Sequence, residues 1–460
     1  MKNAFKKIAL AAASATLLGG LAGPAQAANW LQLQGTERPG AAPRAKIWGF
    51  IQPEYQYTED TAIKAGPWAG QKAVFNQMRP NLQSNSGFNV IRTRVGVRGT
   101  AMPLDSNVNY FFLAEFGHNG ITYPAGGLGN ARITDASVTL NHIPGARVRV
   151  GMFKYPGSEE GLQAIHVFDY INFTNMSNQL LLERFFANTG AGTAGPNGFC
   201  PAASGATACA NAPTGPVGAF RDMGIQVFDW FNRGNWEHAY AAMIGNGNGL
   251  SLNDNNSYTY YLYWSSTLLF GGKGARREDW KTYAWYQDGR RSISTATNGA
   301  GGSIQSFDRK RYGIGTAFRR GKHRFAAEYT KADGMIFNGT DGAALPGSTS
   351  NNTLFIASWN MAPEGEADGW YVHYGFAPTQ AWEFDIRYDI LNRLTDSTAG
   401  ERRFETWTLG AQYFFNKKTR LIVNYEFRTA EAPNLDRSAT PNTILETIDN
   451  RVSTQILTIF

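Results

Sequence analysis

From about residue 45 onward the chain breaks into strand-length segments whose connections alternate strictly between short and long. The short ones fall at residues 102–107, 143–145, 232–234, 270–278, 320–322, 378–380 and 416–418. The long ones cover roughly residues 59–88, 118–130, 154–218, 246–256, 289–307, 334–367, 392–403 and 429–449. Seven short and eight long connections separate sixteen segments. Short turns at one end and long loops at the other characterise an up-and-down antiparallel barrel that crosses a bilayer, with both termini on the short-turn side. The expected fold is therefore all-β, a 16-stranded transmembrane barrel over residues 45–460. Residues 351–361 also have strand character, and counting them leads toward eighteen strands. That count puts the remaining short turns at the wrong end, so the stretch is assigned to the sixth long loop or to a strand extension above the membrane.

The segments themselves repeat every two residues. Trp382, Phe384, Ile386, Tyr388 and Ile390 alternate with Glu383, Asp385, Arg387 and Asp389. Arg147, Arg149, Gly151 and Phe153 alternate with Val148, Val150 and Met152. Successive side chains of a strand point to opposite faces, so each such segment needs water on one side and an apolar medium on the other. A soluble sandwich also alternates, but sixteen hairpin-linked segments on one exported chain argue against it. Export is read from the N-terminus: Lys2, Lys6 and Lys7 precede an apolar run ending in Ala25-Gln26-Ala27, the pattern of a signal peptide cut after Ala27. Residues 28–44 then form a periplasmic lead-in. No later run of 18 apolar residues exists, so a helical span is excluded, while aromatic residues make up 13% of the chain. Trp48, Tyr258, Tyr260, Trp264, Trp280, Trp370, Trp407 and Tyr413 lie near segment ends, where interfacial girdles are expected. The last segment ends on Phe460, an aromatic terminus of the kind that outer-membrane assembly machinery reads. Lipid and lipopolysaccharide are the surroundings such a barrel meets.

Other function classes find little support. The three lysines of the leader account for three of the formal +7 charges, and the remainder is too interleaved with acids for nucleic-acid binding. The two cysteines, Cys200 and Cys209, read as one disulfide closing the long loop 154–218. No metal or cofactor motif accompanies them. His142 and His238 stand apart from any G-x-S-x-G, so an enzyme is not expected.

With the aliphatic faces outward, the water-facing positions of the second to fifth strands include Arg92, Arg94, Arg98, Glu115, Asp135, Arg147 and Arg149. Guanidinium groups stay charged and offer several donors, so a column of them makes a staircase for anions. The alternative is that they pair with Glu115 and Asp135 and stiffen the wall, although two acids do not neutralise five arginines. The long loop carries Lys154, Glu159, Glu160 and Arg184. Folded into the lumen it constricts the bore. Acids turned to the arginine column give a transverse field, whereas Lys154 and Arg184 turned inward give an anion site. The sequence leaves both arrangements open.

The order of several motifs resembles the phosphate-selective porin O/P family: R-T-R-V-G-V-R-G from Arg92, N-Y-F-F-L-A-E-F from Asn109, R-I-T-D-A from Arg132, V-G-M-F-K-Y-P-G from Val150 with Glu160 after it, and M-I-G-N-G-N-G from Met243. The likeness is strongest over residues 45–250. It implies a sixteen-stranded, usually trimeric outer-membrane barrel with the third long loop at the constriction. It also implies an arginine column leading to a lysine-rich phosphate site. The loop here offers Lys154 and no further lysine before Arg221, so the expectation is a porin preferring small anions more broadly. The competing expectation is a non-conducting adhesion or scaffold barrel.

Overall fold

A computed structural model describes residues 29–37, 43–59, 61–65, 69–70, 73–74, 86–122, 131–183, 217–253, 255–272, 276–294, 304–338, 348–351, 354–357 and 360–460. The leader over 1–27, Arg184, Cys200 and Cys209 lie outside them. Sixteen strands form the wall: β1 (Lys46–Thr58), β2 (Ser86–Ala101), β3 (Asp105–Glu115), β4 (Arg132–Leu140), β5 (Arg147–Lys154), β6 (Arg221–Arg233), β7 (Trp236–Gly245) and β8 (Thr259–Gly271), then β9 (Glu278–Ser294), β10 (Ile304–Arg320), β11 (His323–Asp333), β12 (Glu366–Phe376), β13 (Trp382–Arg393), β14 (Arg402–Phe414), β15 (Thr419–Glu431) and β16 (Arg451–Ile459). Each pairs antiparallel with its sequence neighbours, and β1 closes on β16, so the sheet has no free edge. At the seam Phe50 faces Ile459 and Tyr57 faces Val452. Two backbone bonds between Gly49 and Phe460, at 3.2 and 3.0 Å, fasten its lower end.

The connections alternate as the sequence requires. One loop differs, while the 351–361 stretch falls outside the wall as the sequence assigns it. The 351–361 stretch forms Leu354–Ala357 and Asn360–Ala362, which pair with Ser348–Asn351 and Ile336–Asn338 in small sheets apart from the wall. The barrel therefore has sixteen strands. The loop expected at 289–307 is shorter, because β9 and β10 pair continuously from Asp279–Arg319 to Ser294–Ile304. Gly289 lies inside β9, where a Cβ would clash with Thr259 Oγ1. Here glycine serves close approach and not a turn.

Burial follows the two-residue period, strictly so in β13, whose odd positions from Glu383 are buried and whose even positions are more open. Outward stand Tyr258, Tyr260, Trp264, Trp280, Trp370 and Trp407. Trp48 does not join them: it packs on Phe50, Phe111 and His166 at the inner face. The interior is filled mainly by residues 155–183, which turn inward from β5 and include the helical turns Glu159–Leu162 and Ser177–Leu181. Residues 29–37, with the turn Trp30–Leu33, pack beside them. The expected periplasmic lead-in thus has its described residues 29–37 against the inner wall. Trp30, Leu31, Phe153, Leu162, Met176, Leu180 and Phe228 share one buried apolar cluster there.

Candidate functional site

The five arginines of the column share the inner face of β2 and β5, and each has its own partners. Arg94 pairs with Glu115 at 2.7 Å. Arg98 pairs with Glu37 and Arg147 with Asp229. Arg92 donates to Gln52 Oε1 at 3.3 Å. Arg149 is fully buried and donates to Thr139 Oγ1, Leu31 O and Thr36 Oγ1, with its guanidinium 4.4 Å from the Phe228 ring centre. Asp135 pairs with Arg221 at 3.0 Å and with none of the five. Cross-strand pairing therefore holds for Arg94 with Glu115 and for Arg147 with Asp229 of the neighbouring β6, while Glu37 brings charge from the lead-in, which strand-by-strand reading does not place.

The loop acids face a second basic wall. Glu159 pairs with Lys281, Glu160 with Arg387 at 3.2 Å, and Asp169 with Arg324 and with Arg276 at 3.4 Å. Glu183 bridges Arg291 at 2.7 Å and Arg309 at 2.8 Å. Backbone donors add to this: Ile171 N donates to Asn424 Oδ1 at 2.8 Å and Asn175 N to the Asp389 carboxylate at 2.8 Å. The loop is thus clamped across the bore, from β5 to the far wall made by β9–β15. Lys154, at its root, turns inward and donates to Gly161 O and Gln163 O, both at 2.7 Å. Burial by itself pushes the Glu183 carboxyl up, but the guanidiniums of Arg291 and Arg309 outweigh it and hold the group below its ordinary range.

The far wall is what the sequence reading missed. Lys281, Arg291, Arg309, Arg311, Arg324 and Arg387 are all buried on the inner face. Lys281, Arg311, Arg324 and Arg387 each adjoin an aromatic, so the period was readable there, whereas Arg291 and Arg309 sit among Arg290, Ser292, Asp308 and Lys310, where it was not. Arg311 is distinctive: it donates to the carbonyls of Leu180, Lys310, Asp333, Gly334 and Met335, at 2.7–3.2 Å, and forms no ion pair among the described residues. Between loop and far wall lies a cavity of about 80 Å³ lined by Trp30, Glu159, Asp169, Arg319, Arg324 and His373 among others.

A family model for Gram-negative porins matches residues 9–432. The chain belongs to that family. It is an outer-membrane channel for passive diffusion. Among solved structures, the porin is similar to OmpF of Salmonella typhi, described in complex with daunomycin, at 12% identity over 90% of this chain and 97% of that one, with a TM-score of 0.51. It is also similar to OmpT of Vibrio cholerae (10% identity, 92% and 100% covered, TM-score 0.48) and to the channel DcaP of Acinetobacter baumannii (14%, 93% and 100%, 0.49). At these identities the likeness is one of fold. No curated protein matches the chain.

The porin's histidines are less isolated than their sequence positions imply. His142 meets Asp105 at 2.6 Å beside a short turn, and His238 Nδ1 lies 3.0 Å from Ser266 Oγ across the β7–β8 pair. Ser266 Oγ also accepts Trp264 Nε1 at 3.1 Å. The His238–Ser266 contact is a cross-strand pair, since the two residues sit directly opposite in register, and no carboxylate among the described residues orients the imidazole.

Proposed function

We propose that this porin passes small hydrophilic solutes with a preference for anions. The observation carrying the reading is that Arg149, Lys154 and Arg311 are buried on the inner side with no carboxylate partner among the described residues. Their hydrogen bonds go to carbonyls and hydroxyls, which orient the charge without cancelling it. Positive charge left in a narrow, low-dielectric bore raises the local anion concentration and lowers that of cations. Phosphate belongs to the same class of solute, and the motif resemblance favours it, although a lysine cluster is absent from the described part of the loop. Neutralising Arg149 and Arg311 together to Gln tests the reading: the chloride-to-potassium permeability ratio is expected to fall several-fold with conductance retained. An unchanged ratio contradicts it.

The assembly we infer is a homotrimer joined through β3–β6. Strands β4 and β5 have 9 and 8 residues, at or below the length that spans a bilayer, whereas β9 and β10 have 17 each. The most exposed outward residues of β3–β6 include Phe112, Ile133, Val138, Leu140, Val150, Ile225 and Val227, with no Trp or Tyr. Interfacial anchoring residues concentrate on β8–β14 instead, which fits a lipid-facing side.

A plugged barrel remains the second reading. The burial of the inner wall under residues 29–37 and 155–183 favours it, and ion flux separates the two.

A further inference from the structure

We propose that the inner wall around Arg98, Asn109 and Arg149 is a binding site for short acidic peptides, and that the chain's own residues 29–37 occupy it as a displaceable plug. The contacts are those of a receptor that reads the backbone of a short segment opening on the helical turn Trp30–Leu33. Arg98 donates to Leu33 O at 3.1 Å and to Thr36 O at 3.4 Å, and holds the Glu37 carboxylate. Arg149 donates to Leu31 O at 3.1 Å, and Asn109 Oδ1 accepts Glu37 N at 2.8 Å. Four of these five contacts read backbone groups, which any peptide carries, and the fifth reads a carboxylate. Nothing in the barrel ladder depends on the segment: the wall begins at Lys46 and closes without it.

The fit is close at one point and open at others. Gly35 has φ of +87°, and a Cβ there would stand 2.5 Å from Phe111 Cβ, so the segment seats only because this residue is glycine. Yet both polar atoms of the Gln34 side chain, Nη1 of Arg149 and Nδ2 of Asn109 are buried with no protein partner among the described residues. A seat with such unused donors is one that another ligand can satisfy better. Being part of the chain, the segment competes at high effective concentration, which keeps the site filled until a solute of matching chemistry arrives.

This inference rests on the channel reading for its use, but its test does not require conduction. Full-length Gly35→Val porin keeps every wall residue and loses the seating of the segment. A fluorescent peptide N-W-L-Q-L-Q-G-T-E with an amidated end is titrated against it by polarisation. The Gly35→Val protein is expected to bind saturably, and wild type at least ~10-fold more weakly because its site is filled. The same peptide ending in Gln is expected to bind ~10-fold more weakly through the lost charge-assisted bond. Equal binding by wild type and variant, or indifference to Glu against Gln, overturns the proposal. Full-length Glu37→Gln, which alters no backbone geometry, gives the same comparison should Gly35→Val fail to refold. In bilayers the added peptide is expected to reduce Gly35→Val conductance. Discriminating peptide binding by a barrel that never conducts leaves this site standing and removes the channel reading.

Discussion

At the scale of single residues, the lumen is governed by which cations find acids. The arginine column was legible because Arg92, Arg94, Arg98, Arg147 and Arg149 alternate with aliphatics, and alternation fixes the face a side chain takes. One neutralising partner was not legible: Glu37 lies 61 positions from the arginine it meets, and nothing local in the sequence ties the two. Lys154 illustrates the same limit. The sequence left it as a cation of undetermined direction, and the fold spends its ammonium on two loop carbonyls. Lys154→Met is expected to leave those carbonyls unpaired, costing about 1–3 kcal/mol, and to raise open-channel noise in single-channel records while the barrel still folds. Glu183 sets a pH dependence. Its folded value is depressed, so its contribution is fully present above the ordinary glutamate pKa and is lost as pH falls through the depressed one. The Glu183 tie is therefore expected to hold from neutral pH down to about 5, with its release appearing only in stronger acid. Titrating conductance against pH in wild type and Glu183→Gln checks this, and the variant should show the acid behaviour already at neutral pH.

At the scale of elements, strands and loop differ in what sequence encodes. A wall strand announces itself through period two, because one face must meet lipid and the other water, and β13 keeps the pattern from Trp382 to Ile390. A boundary was misplaced at 289–307, where β9 and β10 continue, whereas the 351–361 stretch stays out of the wall as its assignment to the sixth long loop requires. The inward loop has no period to read, and its path is set by ion pairs with strands far along the chain. Asp169 and Glu183 each meet two arginines, Asp169 holding Arg324 and Arg276. Replacing Asp169 with Asn leaves Arg324 paired with Glu383 and Asp385 and Arg276 paired with Glu383, so the wall charge stays compensated while the loop loses its own ties, and the substitution is expected to loosen the loop from β11. The measurable consequence is a higher mean conductance with frequent substates, and added susceptibility of residues 155–183 to protease. Unaltered conductance and protection would show that the backbone bonds to Asn424 and Asp389 suffice.

At the scale of the whole molecule, counting connections was enough to specify a closed sixteen-stranded barrel, since an up-and-down sheet leaves little other topology once both termini share one end. Its uneven perimeter was not visible, because low wall and absent girdle emerge only when outward residues of neighbouring strands are set side by side. Val150, outward on β5 and 47% exposed, lies in the middle of that low face. Val150→Arg is expected to give barrels that retain heat-modifiable mobility but run as monomers on native gels, because a charge placed in a subunit contact opposes association while the strand ladder persists. A variant that remains trimeric places the contact elsewhere. The central claim concerns the sign of the charge left in the bore. The most direct measurement is the zero-current potential of the refolded wild-type porin in a planar bilayer under a KCl gradient. The account predicts a chloride-directed potential. A potassium-directed or zero potential, or a barrel that conducts nothing, contradicts it.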